Sequence, residues 1–241
     1  MNPRLICFHG SPGVPEEFEP LRAQLDGKIE VLSPVREGYP GYSGPAGTRP
    51  GDVILGYSFG CVEALRETVS HEKIKQLILV APYIFPKAVG RLKRLLIGAP
   101  YLGEWLCQKA GSAQIAQMLT DSSFPRDVPD AYRQAGEKMK QPGSLKRAVL
   151  EKVIHGAESA ALLGVIAESK IPVTVVWGEQ DKTIRETDQL GRLRRALSDK
   201  TANKAANILE KIFGNAGHAI PWTHARELAA FILENTLGEK L

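Results

Sequence analysis

Ser58, Asp181 and His218 are residue types that can combine into a nucleophile, its base and the group that orients the base. A serine hydroxyl is a weak nucleophile near neutral pH. It attacks a carbonyl when an imidazole takes its proton and a fixed carboxylate orients the ring and stabilises the imidazolium. Ser58 lies in "GYSFG" (56–60), directly after the apolar "DVIL". By itself this pattern is also what plain turn chemistry produces, since Gly supplies unusual backbone angles and Ser a local hydrogen bond. The distant partners tip the balance: Asp181 ends "VVWGEQD" and His218 ends "GNAGH".

A tetrahedral intermediate also needs fixed N–H donors for its oxyanion. Phe59, just after the serine at the start of a helix, supplies one, and Ser11 in "HGSPG" (9–13) the other. Gly10 allows the Ser11 loop close to the substrate, and Gly56 and Gly60 relieve crowding at a turn that strains Ser58. His9 competes with His218 as a base, but its place in the His-Gly pair suits holding the oxyanion loop. His71, His155 and His224 read as surface or helix-end residues. Asp181 competes with Glu179 and Asp188; it directly follows the strand-ending "WGEQ", whereas Asp188 falls on the next helix.

Positioning these residues requires strands that end beside one another. Apolar runs rich in β-branched residues occur at 4–10, 29–34, 52–58, 75–82, 171–181 and 207–218. They are continuous rather than alternating, as in parallel strands buried on both faces. Helical patterns at 16–26, 59–71, 184–198 and 221–237 lie between them. Strand and helix in alternation predict a three-layer α/β domain with a mostly parallel sheet of about six strands. Ligands in such sheets bind beyond the carboxyl ends of the strands, where Ser58, Asp181 and His218 fall. Residues 83–170 break the alternation, with amphipathic stretches and turn-formers at 121–130 and 141–144 that predict about four helices.

Through "HGSPG", "GYSFG", "VVWGEQD" and "GNAGHAIPW" the chain resembles the α/β-hydrolase superfamily. The resemblance implies a core of 1–82 and 171–241, a helical cap at 83–170, and a triad in the chain order Ser, Asp, His. It implies a serine hydrolase of carboxylic esters or thioesters with no metal or organic cofactor. An Asp at the elbow would instead have suggested an epoxide hydrolase or haloalkane dehalogenase. The sequence departs from the family at 35–51, which is too rich in Gly and Pro for the usual helix; an irregular loop lining the pocket mouth is expected there. The strands that often precede the His-Gly strand are also missing.

The chain has 241 residues, 43% hydrophobic and 24% charged, enough for one sizeable core. No apolar run approaches the roughly 18 residues of a membrane span, and the first residues lack a signal-peptide layout; a soluble, cytoplasmic protein is expected. Cys7, Cys61 and Cys107 are odd in number and widely spaced, which suits reduced structural thiols. The net charge is +4, and residues 83–170 hold 13 Lys and Arg against 8 Asp and Glu. A solvated surface explains this. The sharper alternative is an acidic acyl carrier protein docked on Arg91, Lys93, Arg94, Lys138, Lys140, Lys146 and Arg147. "AVGRLKRLLIG" is also compatible with an interfacial helix. A third reading is a non-enzymatic ligand binder; a nucleic-acid partner is not expected. Leu92, Leu95, Leu96, Leu102, Trp105 and Leu106 form a stripe that suits either an acyl pocket or helix-on-helix packing.

Overall fold

A computed structural model describes residues 3–86, 90–111, 129–154, 158–185, 188–197 and 208–238. Each apolar run forms a strand: β1 (Arg4–Phe8), β2 (Glu30–Leu32), β3 (Val53–Tyr57), β4 (Gln76–Val80), β5 (Val173–Gly178) and β6 (Ile208–Phe213). They form a single parallel sheet in the order β2-β1-β3-β4-β5-β6. Nearly every residue of β1 and every residue of β3 and β4 is buried, which is why these runs are continuous in the sequence. β6 is different: at the sheet edge it leaves Leu209 and Ile212 exposed.

Successive side chains point to opposite faces of the sheet, so two apolar layers form. On one side Leu5, Cys7, Val53, Leu55, Ile78 and Val80 meet helices α1 (Glu19–Leu25) and α11 (Ala225–Leu237). On the other, Ile6, Ile54, Leu77, Leu79, Val173 and Val175 meet α2 (Gly60–Ser70) and α9 (Gln189–Leu197). Three expected helices are interrupted. A four-residue α8 (Lys182–Arg185) stands apart from α9, before which Asp188 takes φ of 48°. A 3-10 turn (Pro15–Phe18) precedes α1, and the short α10 (Ile220–Thr223), opened by a proline at its start, ends at His224 before α11.

The segment expected to be helical holds α3 (Arg91–Gly98), α4 (Leu102–Leu106) followed by a π-helical turn (Cys107–Gly111), α5 (Asp130–Met139), α6 (Pro142–Ile154) and α7 (Ser159–Glu168). The described helices thus outnumber the four expected. Pro142 opens α6 rather than merely breaking the chain, as suits a residue without an N–H at a first helical position. Most of the turn expected at 121–130 lies outside the described residues. α7 packs against α2 and α9 and joins the sheet-face layer through Leu163 and Ile166, so this part of 83–170 is in the core layer.

The stretch from Ser33 to Asp52 contains no helix, in line with its Gly and Pro content. It is fastened by a buried charge. Arg36 Nη2 donates to Glu151 Oε1 of α6 at 2.8 Å, with both side chains almost fully inaccessible. Burial opposes the guanidinium charge, but Glu151 and then Tyr39 outweigh it and hold Arg36 above its ordinary value. Removing one member of a buried pair strands the other charge. Glu151→Leu is therefore expected to destabilise the chain by roughly 3–5 kcal/mol in denaturant unfolding. Arg36→Met with Glu151→Leu should recover most of that loss; a double variant no better than the single one would contradict a charge-stranding origin.

Candidate active site

Ser58 follows β3 with φ of 54°, a left-handed conformation that costs a residue with a Cβ on the order of 1–2 kcal/mol. Its neighbours hold it there. Ser58 N–H donates to the Val80 carbonyl at 2.9 Å, and the Ser58 carbonyl accepts from Tyr83 N at 3.1 Å and Cys61 N at 3.2 Å. The flanking glycines are required by contact: a Cβ on Gly56 would lie 2.5 Å from Cys61 Cα, and one on Gly60 would lie 2.2 Å from the Phe8 carbonyl oxygen. The turn lifts the Ser58 side chain out of the sheet at the carboxyl edge, and α2 starts immediately behind it.

His218 meets it from the loop after β6. His218 Nδ1 lies 2.6 Å from Asp181 Oδ2, and Nε2 lies 2.8 Å from Ser58 Oγ. With the Asp181 carboxylate as acceptor, Nδ1 carries the proton and Nε2 is free to accept the serine O–H. The second carboxylate oxygen of Asp181 accepts Ile184 N–H at 3.1 Å, which fixes its rotation, and Asp181 is fully buried. The sequence places these residues 160 and 37 positions apart, and the parallel sheet brings them into one hydrogen-bonded line. Chemically, that line can deprotonate a hydroxyl as it attacks and return the proton to a leaving group.

The Ser11 loop approaches from β1. A Cβ on Gly10 would touch Ser58 Cβ at 3.4 Å, which measures how closely the two loops pass. Among the described residues, neither Ser11 N–H nor Phe59 N–H has a hydrogen-bond acceptor, so both stay available to an oxyanion. His9 is fully buried and turned away from this line: its Nδ1 donates to the Gly10 carbonyl at 3.0 Å and its Nε2 accepts Arg36 N–H at 3.2 Å. Burial, followed by the nearby Arg36 charge, drives its pKa well below the usual histidine value. A neutral, doubly bonded ring suits a support for the loop.

Four residues of the site's surroundings were not singled out from the sequence. Arg36 Nη2 also donates to the Gly10 carbonyl at 2.8 Å, and Tyr39 Oη stands 2.8 Å from Glu151 and 3.2 Å from Ser11 Oγ. Glu17, buried, accepts Gly10 N–H at 3.1 Å. "VPEEFEP" reads as an acidic helix start, and nothing local in it reports that one carboxyl turns inward. The remaining candidates lie elsewhere. Glu179 is exposed, Asp188 pairs with Arg195 at 2.9 Å, and His71 bonds the Glu67 carbonyl. His224 is buried rather than at the surface; it bonds Asn215 and Thr223, both at 2.9 Å, because it caps the junction of α10 and α11. His155 lies outside the described residues.

Cys7, Cys61 and Cys107 are unpaired and buried. Among the described residues no three His, Cys, Asp or Glu side chains converge as metal ligands. A cavity of ≈ 380 Å³ opens beside the Ser11 loop, lined in part by Val35, Tyr39, Pro40, Gln141 and Ser144. Val35, Tyr39, Pro40 and Gly41 of the irregular loop thus contribute to the wall of this cavity, and that wall includes neither Ser58 nor His218.

Burial raises the Glu17 carboxyl from 4.5 to about 8, against the lowering effect of the N–H bonds from Gly10 and Val14. Folded chains therefore hold a proton that unfolded chains release, and stability falls as pH rises through this window. Glu17→Gln keeps an acceptor for Gly10 N–H and removes the titration. Wild type is expected to lose melting temperature between about pH 5 and about pH 9, and the variant to lose distinctly less. Parallel curves would refute the assignment to Glu17.

A family model described as the alpha/beta hydrolase family matches residues 5–231. No curated protein matches the chain in sequence. Among solved structures, a thermophilic esterase from Thermogutta terrifontis superposes with a TM-score of 0.67 at 15% identity, covering 98% of this chain and 90% of that one. The epoxide hydrolase CorEH gives 0.68 at 17%, covering 96% and 90%. A haloalkane dehalogenase DbeA variant from Bradyrhizobium elkanii gives 0.66 at 13%, covering 98% and 89%. At such identities the structural likeness speaks for the fold alone. The family match spans nearly the whole chain, its parallel sheet is that of the fold, and the chain belongs to the alpha/beta hydrolase family.

Proposed function

We propose that this hydrolase cleaves carboxylic esters or thioesters through an acyl-enzyme on Ser58. The observation that carries the reading is the unbroken line from Ser58 Oγ to His218 to Asp181, at 2.8 Å and 2.6 Å. Ser58 Oγ attacks the carbonyl carbon as His218 Nε2 takes its proton, and Asp181 stabilises the imidazolium. The negative oxygen of the tetrahedral intermediate is received by the N–H groups of Phe59 and Ser11. On collapse the C–O or C–S bond breaks, and His218 gives its proton to the departing alcohol or thiol. Water, deprotonated by the same imidazole, then releases the acid. No step needs a metal or cofactor, and helices α3 to α6 act as the cap over the site.

The esterase, epoxide hydrolase and dehalogenase neighbours share the fold alike; Ser58, where an epoxide hydrolase or a haloalkane dehalogenase would be expected to carry Asp, argues for the ester reading. A non-catalytic binder would have no use for a strained serine in line with a buried His–Asp pair. The basic residues of 83–170 do not favour an acyl carrier protein as partner. Of the seven cations expected to hold it, Lys138 pairs with Glu16 and Lys140 with Glu137, while Lys146 and Arg147 face Glu104 and Glu151, both at 3.8 Å.

Aryl ester hydrolysis tests the reading. Wild type is expected to release a burst of the phenol close to one equivalent per chain, followed by slower turnover. Ser58→Ala should lower kcat by roughly 10⁶-fold and Asp181→Asn by roughly 10⁴-fold. Turnover retained in Ser58→Ala would remove the serine mechanism.

A further inference from the structure

Six of the eleven large apolar side chains exposed among the described residues fall between Leu92 and Trp105: Leu92, Leu95, Leu96, Tyr101, Leu102 and Trp105. Of the stripe read from the sequence, Leu92, Leu95, Leu96, Leu102 and Trp105 are exposed and Leu106 is half-buried; Tyr101 adds to the exposed set. Helix α3 is anchored by its other side, where Ile97 joins Cys107 and Leu145 of α6. Leu92, Leu95 and Leu96, spaced i, i+3 and i+4, form one outward stripe, with Leu92 and Leu95 each 71% exposed. Contiguous apolar surface of this kind marks an interaction site.

Cations frame the stripe. Arg91, Lys93 and Arg94 are exposed on the same helix and have no ion-pair partner among the described residues, unlike Lys138, Lys140, Lys146 and Arg147. On α4 and the turn after it, Trp105 is half exposed and Lys109 Nζ lies 5.4 Å from its ring. Outward leucines, adjacent Tyr and Trp, and unpaired basic residues form the composition of an element that lies in a bilayer interface. No described helix is long and apolar enough to cross a membrane.

We propose that α3 and α4 dock this chain on the surface of an anionic phospholipid bilayer, with the leucines and Trp105 entering the interface and Arg91, Lys93 and Arg94 meeting the headgroups. The cations alone would suit an acidic protein as well; the outward leucines with Tyr101 and Trp105 beside them favour a lipid interface. The inference goes beyond the hydrolase reading and does not use Ser58.

The test is co-sedimentation of the full chain with vesicles of phosphatidylcholine alone and of equal parts phosphatidylcholine and phosphatidylglycerol. The chain should sediment with the mixed vesicles at least about tenfold better than with the neutral ones, and less as salt rises. Leu92→Glu with Leu95→Glu should weaken that binding at least about tenfold, with an unchanged melting temperature because both side chains are exposed. Tryptophan emission should shift to the blue on the mixed vesicles, and Trp105→Phe, which leaves Trp177 and Trp222, should abolish the shift. Ser58→Ala should bind as wild type does, which separates failure here from failure of the hydrolase reading. Equal binding to both vesicle types, binding to neither, or capture by an acidic carrier protein without vesicle binding would each overturn the proposal.

Discussion

The left-handed backbone of Ser58 is the constraint around which the site is built. A serine at φ 54° is unfavourable, and it persists because β4 supplies the Val80 carbonyl, the loop after β4 supplies Tyr83 N–H, and two glycines allow backbone where a Cβ would collide. The sheet must therefore be parallel at β1, β3 and β4 and in register at their carboxyl ends, so that Phe8, Ser58 and Val80 meet. Asp181 and His218 come from the next strands along the same edge. The strain is local, and the two apolar layers beneath it make it tolerable.

A second dependency runs from the Ser11 loop to α6. The Gly10 N–H rests on Glu17, and the Gly10 carbonyl on His9 and Arg36; Arg36 is held by Glu151 of α6. Arg36 and Glu151 neutralise each other out of water, and Glu17 and His9 are driven towards their neutral forms by burial. An uncompensated carboxylate under this loop would oppose a developing oxyanion, so a protonated Glu17 is electrostatically consistent with the loop's proposed task. The same chain of contacts ties the position of α6 to that of Ser11.

Much of the fold was legible because the signals are local. Six continuous apolar runs gave six buried or edge strands, and the missing helix at 35–51 followed from Gly and Pro. Ser58, Asp181 and His218 were legible because each stands in a short recognisable motif just beyond a strand's carboxyl end. Arg36 and Glu151 were not: they are 115 residues apart, and a charge count treats both as surface groups. Glu17 looked like an ordinary first-turn acid for the same reason. Periodicity revealed the stripe from Leu92 to Leu96 but not its direction, because a helical repeat reports that one face is apolar and not whether that face meets protein or solvent.

The central claim is that Ser58 Oγ is the reacting atom and that His218 activates it. Reaction with a fluorophosphonate, followed by peptide mass mapping, tests it most directly. A single adduct on the peptide bearing Ser58, formed in wild type and strongly slowed in His218→Ala, is the predicted result. An adduct on another residue, or equal labelling after His218→Ala, would contradict it.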